Sequence, residues 1–146
     1  MMTWELRQSY AVLLERQASD AAVTFVWNDS STASVEKIKK DLRCIHARVD
    51  RQLLGRRFHF RQPNQLSQVW AVIEKLDSYP HVHCGWKMPE QYGLKDLEKL
   101  FSEGLLSNFS QPIGYDIRKY EAGWGGYATK SLTDSRYILD GAEFLR

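Results

Sequence analysis

The stretch EKLDSYPHVHCGW, Glu74 to Trp86, decides the fold and frames the chemistry. It is the middle of a pattern that begins with "VWAVIEKL", a run apolar enough for a central strand. "DSYP" is turn chemistry, and "HVHCGWKM" reads as the returning strand of a tight hairpin. Successive strand side chains point to opposite faces, so His81 and His83 share one face while Val82 and Cys84 share the other. If DSYP is a four-residue loop, Leu76 faces His81 and Glu74 lies directly opposite His83, on the same face. Two imidazoles and a carboxylate then converge on one point. Three protein ligands with positions left open are the pattern of a catalytic metal site, since closed structural sites normally use four. Mixed nitrogen and oxygen donors suit Mn²⁺, Mg²⁺ or Zn²⁺. A wider turn would let Asp77 replace Glu74 as the third ligand. The plainer reading is a histidine pair on a surface or in a core; the glutamate at hairpin-compatible distance weighs towards metal. Strand alternation turns Cys84 away. His46 and His59 stand at no recognisable ligand spacing and read as structural.

Outward from the hairpin, the other elements follow. "WELRQSYAVLLERQ" carries Leu6, Tyr10, Leu13 and Leu14 at helical spacing and reads as a first helix. "AAVTFVWN" is a β-branched and aromatic run, hence a strand. "DSST" offers N-cap residues before "SVEKIKKDLRCIHARVDRQLLG". In that segment Val35, Ile38, Leu42, Ile45, Val49 and Leu53 recur at steps of three and four, which predicts an amphipathic helix stopped by Gly55. "RRFHF" reads as a strand and "RQPNQLSQ" as a loop. Pro89 opens a helix through "EQYGLKDLEKLFSEGLL", with Leu94, Leu97 and Phe101 on one face. "IGYDIRKY" is a further strand, "GWGGYATKSL" turns helical after its glycines, and the tail "SRYILDGAEFLR" reads as a last short helix. Strands and helices mix without βαβ alternation. The expected class is α+β, an antiparallel sheet with helices on at least one face.

Composition sets outer limits. A chain of 146 residues can bury a core of its own and reads as a single domain over residues 1–146. The net charge of +2 is too mild to imply nucleic acid, although a basic face can hide inside a balanced total. Cys44 and Cys84 form no CxxC pair and read as reduced thiols of a cytoplasmic protein. No run approaches the length of a membrane span, and the first residues carry no signal-peptide core.

A second constellation is "GGYATK". In a helix that starts at the glycines, Tyr127 and Lys130 stand at i and i+3 and face the same way. A phenol, with pKa near 10, is a poor nucleophile at neutral pH. It becomes useful where a neighbouring cation or metal stabilises charge on the group it attacks. Alone, YxxK is a weak signal: Tyr127 reads equally as a core aromatic and Lys130 as a solvated charge.

Together the two motifs resemble those of the HUH endonuclease superfamily, nearest to the single-tyrosine rolling-circle replication initiator (Rep) proteins of plasmids, phages and small circular-DNA viruses. "HVHCGW" is similar to the family's histidine–hydrophobe–histidine metal motif, with Val82 as the hydrophobe. "GYATKSL", about 45 residues later, is similar to its catalytic-tyrosine motif. The hairpin "EKLDSYPHVH" also resembles that of parvoviral Rep proteins, with a glutamate at the same seven-residue offset, and "AAVTFVWN" stands where the family has its first core strand. The resemblance runs from about Ala21 to Leu132.

The resemblance implies a sheet of about five antiparallel strands with flanking helices, akin to the RNA-recognition-motif architecture. It implies that His81, His83 and Glu74 hold a divalent cation, Mn²⁺ or Mg²⁺, that polarises the scissile phosphodiester. Tyr127 would attack the phosphorus of single-stranded DNA or an origin hairpin, leaving a 5′-phosphotyrosine link and a free 3′-hydroxyl, and Lys130 would steady the developing charge. No helicase domain follows the motifs, so a host helicase and polymerase would serve replication. One tyrosine fills the motif where some phage initiators carry two, and Tyr120 does not read as a second nucleophile.

Arg56, Arg57 and Arg61 around "FHF" are the expected DNA contacts, since arginines neutralise phosphates and aromatic rings stack on unpaired bases. Arg43, Arg48 and Arg51 on the long helix read as a solvated face, and Trp86 and Trp124 as packing residues beside the motifs. Two classes of function therefore stand: an HUH nickase and strand-transferase of replication or transposition, and a non-catalytic origin-recognition or repressor module on the same fold. A domain that only binds has no chemical need for Glu74, His81, His83, Tyr127 and Lys130 together.

Overall fold

A computed structural model describes residues 2–27, 34–74, 80–109, 113–130 and 138–139. The helices are α1 (Trp4–Arg16), α2 (Val35–Leu54), α3 (Leu94–Ser102) and α4 (Trp124–Thr129); the strands are β1 (Ala21–Trp27), β2 (Gln68–Glu74), β3 (His81–Lys87), β4 (Ile113–Lys119) and β5 (Ile138–Leu139). The strands form one sheet in the order β4-β1-β3-β2-β5, with every neighbouring pair antiparallel. The α+β class and the antiparallel sheet of five strands hold. Among the described residues no helix is long and apolar enough to cross a membrane.

One face of the sheet carries the main core. Val23, Phe25 and Trp27 of β1, Val82, Cys84 and Trp86 of β3, and Val69, Ala71 and Ile73 of β2 meet Ile38, Leu42, Ile45 and Val49 of α2 and Leu97 and Phe101 of α3. The period-2 and period-3.6 patterns interlock here, and each such side chain contributes about 1.5–3 kcal/mol by leaving water. Ser34 caps α2, its hydroxyl accepting from the Lys37 amide at 3.1 Å, and Gly55 at φ 92° ends it. Inside this layer His46 and Asp50 meet Ser67: His46 Nε2 lies 3.0 Å from the Ser67 carbonyl, and the Ser67 hydroxyl donates to Asp50 Oδ1 at 2.6 Å. His46 is thus a buried strut between α2 and the approach to β2, in keeping with its structural reading.

On the opposite face α1 and α4 cover Val72 with Leu14 and Ala128, flanked by Trp70 and Trp124. They cover only part of it, and the uncovered part forms a cleft over β1, β3 and β4.

Several expectations need correction. Phe58–Phe60 is a 3-10 turn, not a strand; His59 and Phe60 are exposed, and three residues between arginines are too few to show a period. The tail holds strand β5 at Ile138–Leu139 rather than a helix there. The helix expected from Pro89 starts only at Leu94, where the Gly93 amide donates to Asp96 Oδ2 at 2.8 Å. In α1 the buried residues are Ala11 and Leu14, while Leu6 and Leu13 are exposed, because α4 packs a glycine against the Ala11 backbone. The hairpin register is shifted: Glu74 pairs with His81 and Val72 with His83, so Glu74 is not directly opposite His83. Asp77, the DSYP turn up to Pro80 and the DSST caps lie outside the described residues.

Candidate functional site

Strand alternation and the observed pairing put Ala22 and Thr24 of β1, His81 and His83 of β3 and Glu74 of β2 on the cleft side of the sheet, with Thr24 paired to His83. His83 is buried, and its two ring nitrogens face two different partners. Nδ1 lies 3.2 Å from Thr24 Oγ1, and Nε2 lies 3.5 Å from Glu74 Oε2. The second contact is an ion-pair distance rather than a formed hydrogen bond: Glu74 Oε2 is buried and has no hydrogen-bond partner among the described residues. Burial pushes the His83 imidazole below its ordinary range; the Glu74 carboxylate opposes this, while the neighbouring His81 and Lys130 add to the lowering.

These groups fit a hard divalent cation in their chemistry. A buried carboxylate oxygen, at ion-pair distance but not hydrogen-bonded, stands beside an imidazole nitrogen whose ring is oriented from its far side by a hydroxyl, the supporting arrangement that metal-binding histidines use. The half-buried His81 lines the same cleft. Among the described residues no three His, Cys, Asp or Glu side chains are already gathered as a cation cage; the donors are a His83–Glu74 pair with His81 beside it.

The tyrosine motif comes to the same place. α4 follows Gly123, whose φ of 91° suits glycine and turns the chain sharply from β4. Tyr127 is exposed into the cleft, and its ring stands 5.6 Å from that of His83, edge to face at 72°. Lys130, next after α4, holds its ammonium 4.5 Å from the centre of the Tyr127 ring. The i, i+3 pair therefore faces one way, and it faces the histidines.

The cleft, about 860 Å³, runs between Thr24, His81 and His83 on its floor, Tyr127 and Trp124 on one wall, and Arg118 on β4. Gly85 makes room for that wall: a Cβ there would lie 3.3 Å from the Trp124 ring and 2.8 Å from Ser19 Oγ. Trp124 is half-buried and borders the cleft, whereas Trp86 is a core residue.

Arg118 was not singled out by sequence reasoning. It stands beside Ala22, bridged to Asp116 at 2.8 Å, and its side chain is largely exposed. The signal was the alternation of Asp116 and Arg118 in "IGYDIRKY", but only the pairing of β4 with β1 puts that face in the cleft. Arg56, Arg57 and Arg61 are not brought there. They follow α2 around the 3-10 turn, exposed, with the Arg57 guanidinium 5.2 Å from the centre of the Phe60 ring. Arg48 is structural, donating to the carbonyls of Leu105 and Ser107 at 2.8 Å each.

The other tyrosines near the motif are differently placed. Tyr120 lies beyond β4 with its phenol pushed well above the ordinary range, first by burial and then by the Glu15 carboxylate. Tyr115 pairs with Phe25 in the sheet and packs on Phe101 at 5.1 Å, on the core side.

No family model matches this chain, and no curated protein or solved structure is significantly similar to it.

Proposed function

We propose that the protein is a metal-assisted, tyrosine-dependent nickase and strand-transferase of single-stranded DNA of the HUH kind, serving rolling-circle replication of a plasmid, phage or related mobile element. The observation that carries this reading is the meeting of two motifs distant in sequence: Tyr127, with the Lys130 ammonium over its ring, stands against His83 in one open cleft.

In this reading the scissile phosphate enters the cleft between Tyr127 and the histidine face. The Tyr127 oxygen loses its proton and attacks phosphorus, a P–O bond to tyrosine forms, and the P–O3′ bond breaks. The departing 3′ oxygen takes up a proton and becomes a free hydroxyl. The phosphotyrosine keeps a phosphodiester's worth of bonding, so attack by a 3′-hydroxyl reseals the strand without external energy. Lys130 places a positive charge next to the ring that gains and loses negative charge. His83 and Glu74, with His81, would hold Mn²⁺ or Mg²⁺, which supplies Lewis-acid polarisation of the phosphate oxygens. Thr24 keeps the His83 ring aimed. Arg118, ion-paired to Asp116, lines the cleft from β4 and offers a phosphate contact there.

The test is a denaturing gel of protein incubated with single-stranded oligonucleotides and Mn²⁺. A covalent protein–DNA band and a shortened 3′-hydroxyl strand are expected. The second reading, a non-catalytic DNA-binding module, is favoured by one feature: the exposed arginines around Phe58–Phe60 stand away from the cleft, where binding does not need chemistry. DNA retention without any adduct would decide for it.

A further inference from the structure

α4 has six residues, too few to be stable alone, and its N-cap Gly123 supplies no side-chain hydrogen bond. Its support comes from the other end of the sequence. The Gly125 amide donates to Glu15 Oε1 of α1 at 2.8 Å. At the other end of α4, Arg7 Nη1 donates to the Lys130 carbonyl at 3.5 Å. Between these, the helices touch closely: a Cβ on residue 125 would lie 2.5 Å from the Ala11 carbonyl oxygen and 3.2 Å from Leu14 Cβ. Gly125, Ala128 and Thr129 face inward and are buried, which turns Tyr127 outward over His83. The charges match the helix ends, with a carboxylate at the N-terminus and a guanidinium at the C-terminus.

We infer that α1 is a brace that aims Tyr127, and that Glu15 is a positioning residue acting through the Gly125 amide. This rests on the reading of Tyr127 as the nucleophile. Glu15 does not line the cleft; it sets where the phenol stands. Misplacement of a reacting group by about 1 Å can cost roughly 100-fold in rate.

The experiment pairs two readouts on Glu15→Ala and Glu15→Gln. The first is hydrogen exchange of the 124–130 segment, which reports the brace whether or not the protein cuts DNA. The second is single-turnover cleavage of an oligonucleotide with Mn²⁺. For Glu15→Ala, faster exchange confined to α4 and a fall in kcat of about 10- to 100-fold are expected, with KM and Mn²⁺ affinity unchanged. Glu15→Gln keeps the acceptor oxygen and restores most of both. If Glu15→Ala does not fold, Glu15→Asp, one methylene shorter, should show the same pattern to a smaller degree. Unchanged exchange in α4 would overturn the brace. Faster exchange with an unchanged kcat would overturn the positioning role. A wild-type protein that forms no adduct would overturn the nickase reading and the catalytic half of this inference with it, leaving the exchange result to judge the brace alone.

Discussion

Thr24→Val is the sharpest test of the candidate metal site. The substitution keeps a β-branched side chain on a central strand and removes one hydroxyl, the one 3.2 Å from His83 Nδ1. A cation on Nε2 requires the lone pair there, so Nδ1 must carry the proton and donate it to Thr24 Oγ1. Without the hydroxyl, Nδ1–H is left with no acceptor in a partly buried place. Leaving a buried donor unpaired costs about 1–3 kcal/mol, and the length of the lost bond argues for the lower part of that range, so fold stability should fall by about 1 kcal/mol or somewhat more. Metal affinity should fall further, by roughly 10- to 100-fold, because the ring loses both its tautomer and its aim. Calorimetric titration of Mn²⁺ into wild type, Thr24→Val and Thr24→Ser measures this, with serine expected to recover most of the affinity. The reasoning is refuted if Thr24→Val binds Mn²⁺ as wild type does while His83→Ala does not. The ring would then need no orienting hydroxyl.

Other perturbations separate the remaining parts. Tyr127→Phe removes only a hydroxyl from an exposed ring, so stability should change by less than about 1 kcal/mol while adduct and cleavage vanish together; an adduct that persists in this variant points to another nucleophile. Joint replacement of Arg56, Arg57 and Arg61 by alanine should weaken single-strand binding and flatten its salt dependence by roughly 0.7 in slope for each phosphate no longer neutralised, with cleavage at saturating DNA intact. An unchanged slope removes them from the DNA path. In metal-free protein the lowered pKa of His83 means that the unfolded chain binds more protons between about pH 6.5 and the folded value. Stability should fall as pH falls through that window and level off below it, and urea midpoints of His83→Gln should lose that step.

Much of the fold was legible because the decisive segments are long and strongly periodic. α2 keeps six apolar residues in register over its length, β1 and β2 are compact β-branched and aromatic runs, and β3 follows as the return of the hairpin, so their type was readable. The errors fell where context decides. "FHF" looks like a strand by composition but lacks a neighbour to pair with and winds into a 3-10 turn. The inward face of α1 could not be read from its leucines, because what selects it is the absence of a side chain at Gly125, more than a hundred residues away. Thr24, Glu15 and Arg118 were invisible for the same reason. Each gains its meaning from strand order or helix packing, and a single sequence states neither.

The shared face of Glu74, His81 and His83 was legible despite a wrong register, and the reason is physical. Moving a pairing by one residue turns every side chain to the opposite face; moving it by two does not. The observed register differs from the four-residue-loop expectation by two, since Glu74 rather than Leu76 stands opposite His81. A one-residue error would have sent Val82, Cys84 and Trp86 into the open cleft and both histidines into the layer packed by α2 and α3. With each displaced apolar side chain costing about 1.5–3 kcal/mol, that pairing is far out of reach. The core thus dictates which face the histidines take. Within that parity, the pairing decides only which histidine stands directly opposite Glu74, and here it is His81. The long Glu74 side chain nonetheless reaches diagonally to His83, where Oε2 and Nε2 meet at 3.5 Å, since diagonal neighbours on one sheet face are within reach of long side chains. Shortening that reach is the discriminating change: Glu74→Asp keeps the charge and the face but withdraws the oxygen from His83, so it should weaken Mn²⁺ binding nearly as much as Glu74→Gln. If Glu74→Asp binds Mn²⁺ like wild type, the carboxylate acts from its place opposite His81, and the diagonal contact carries no part of the site.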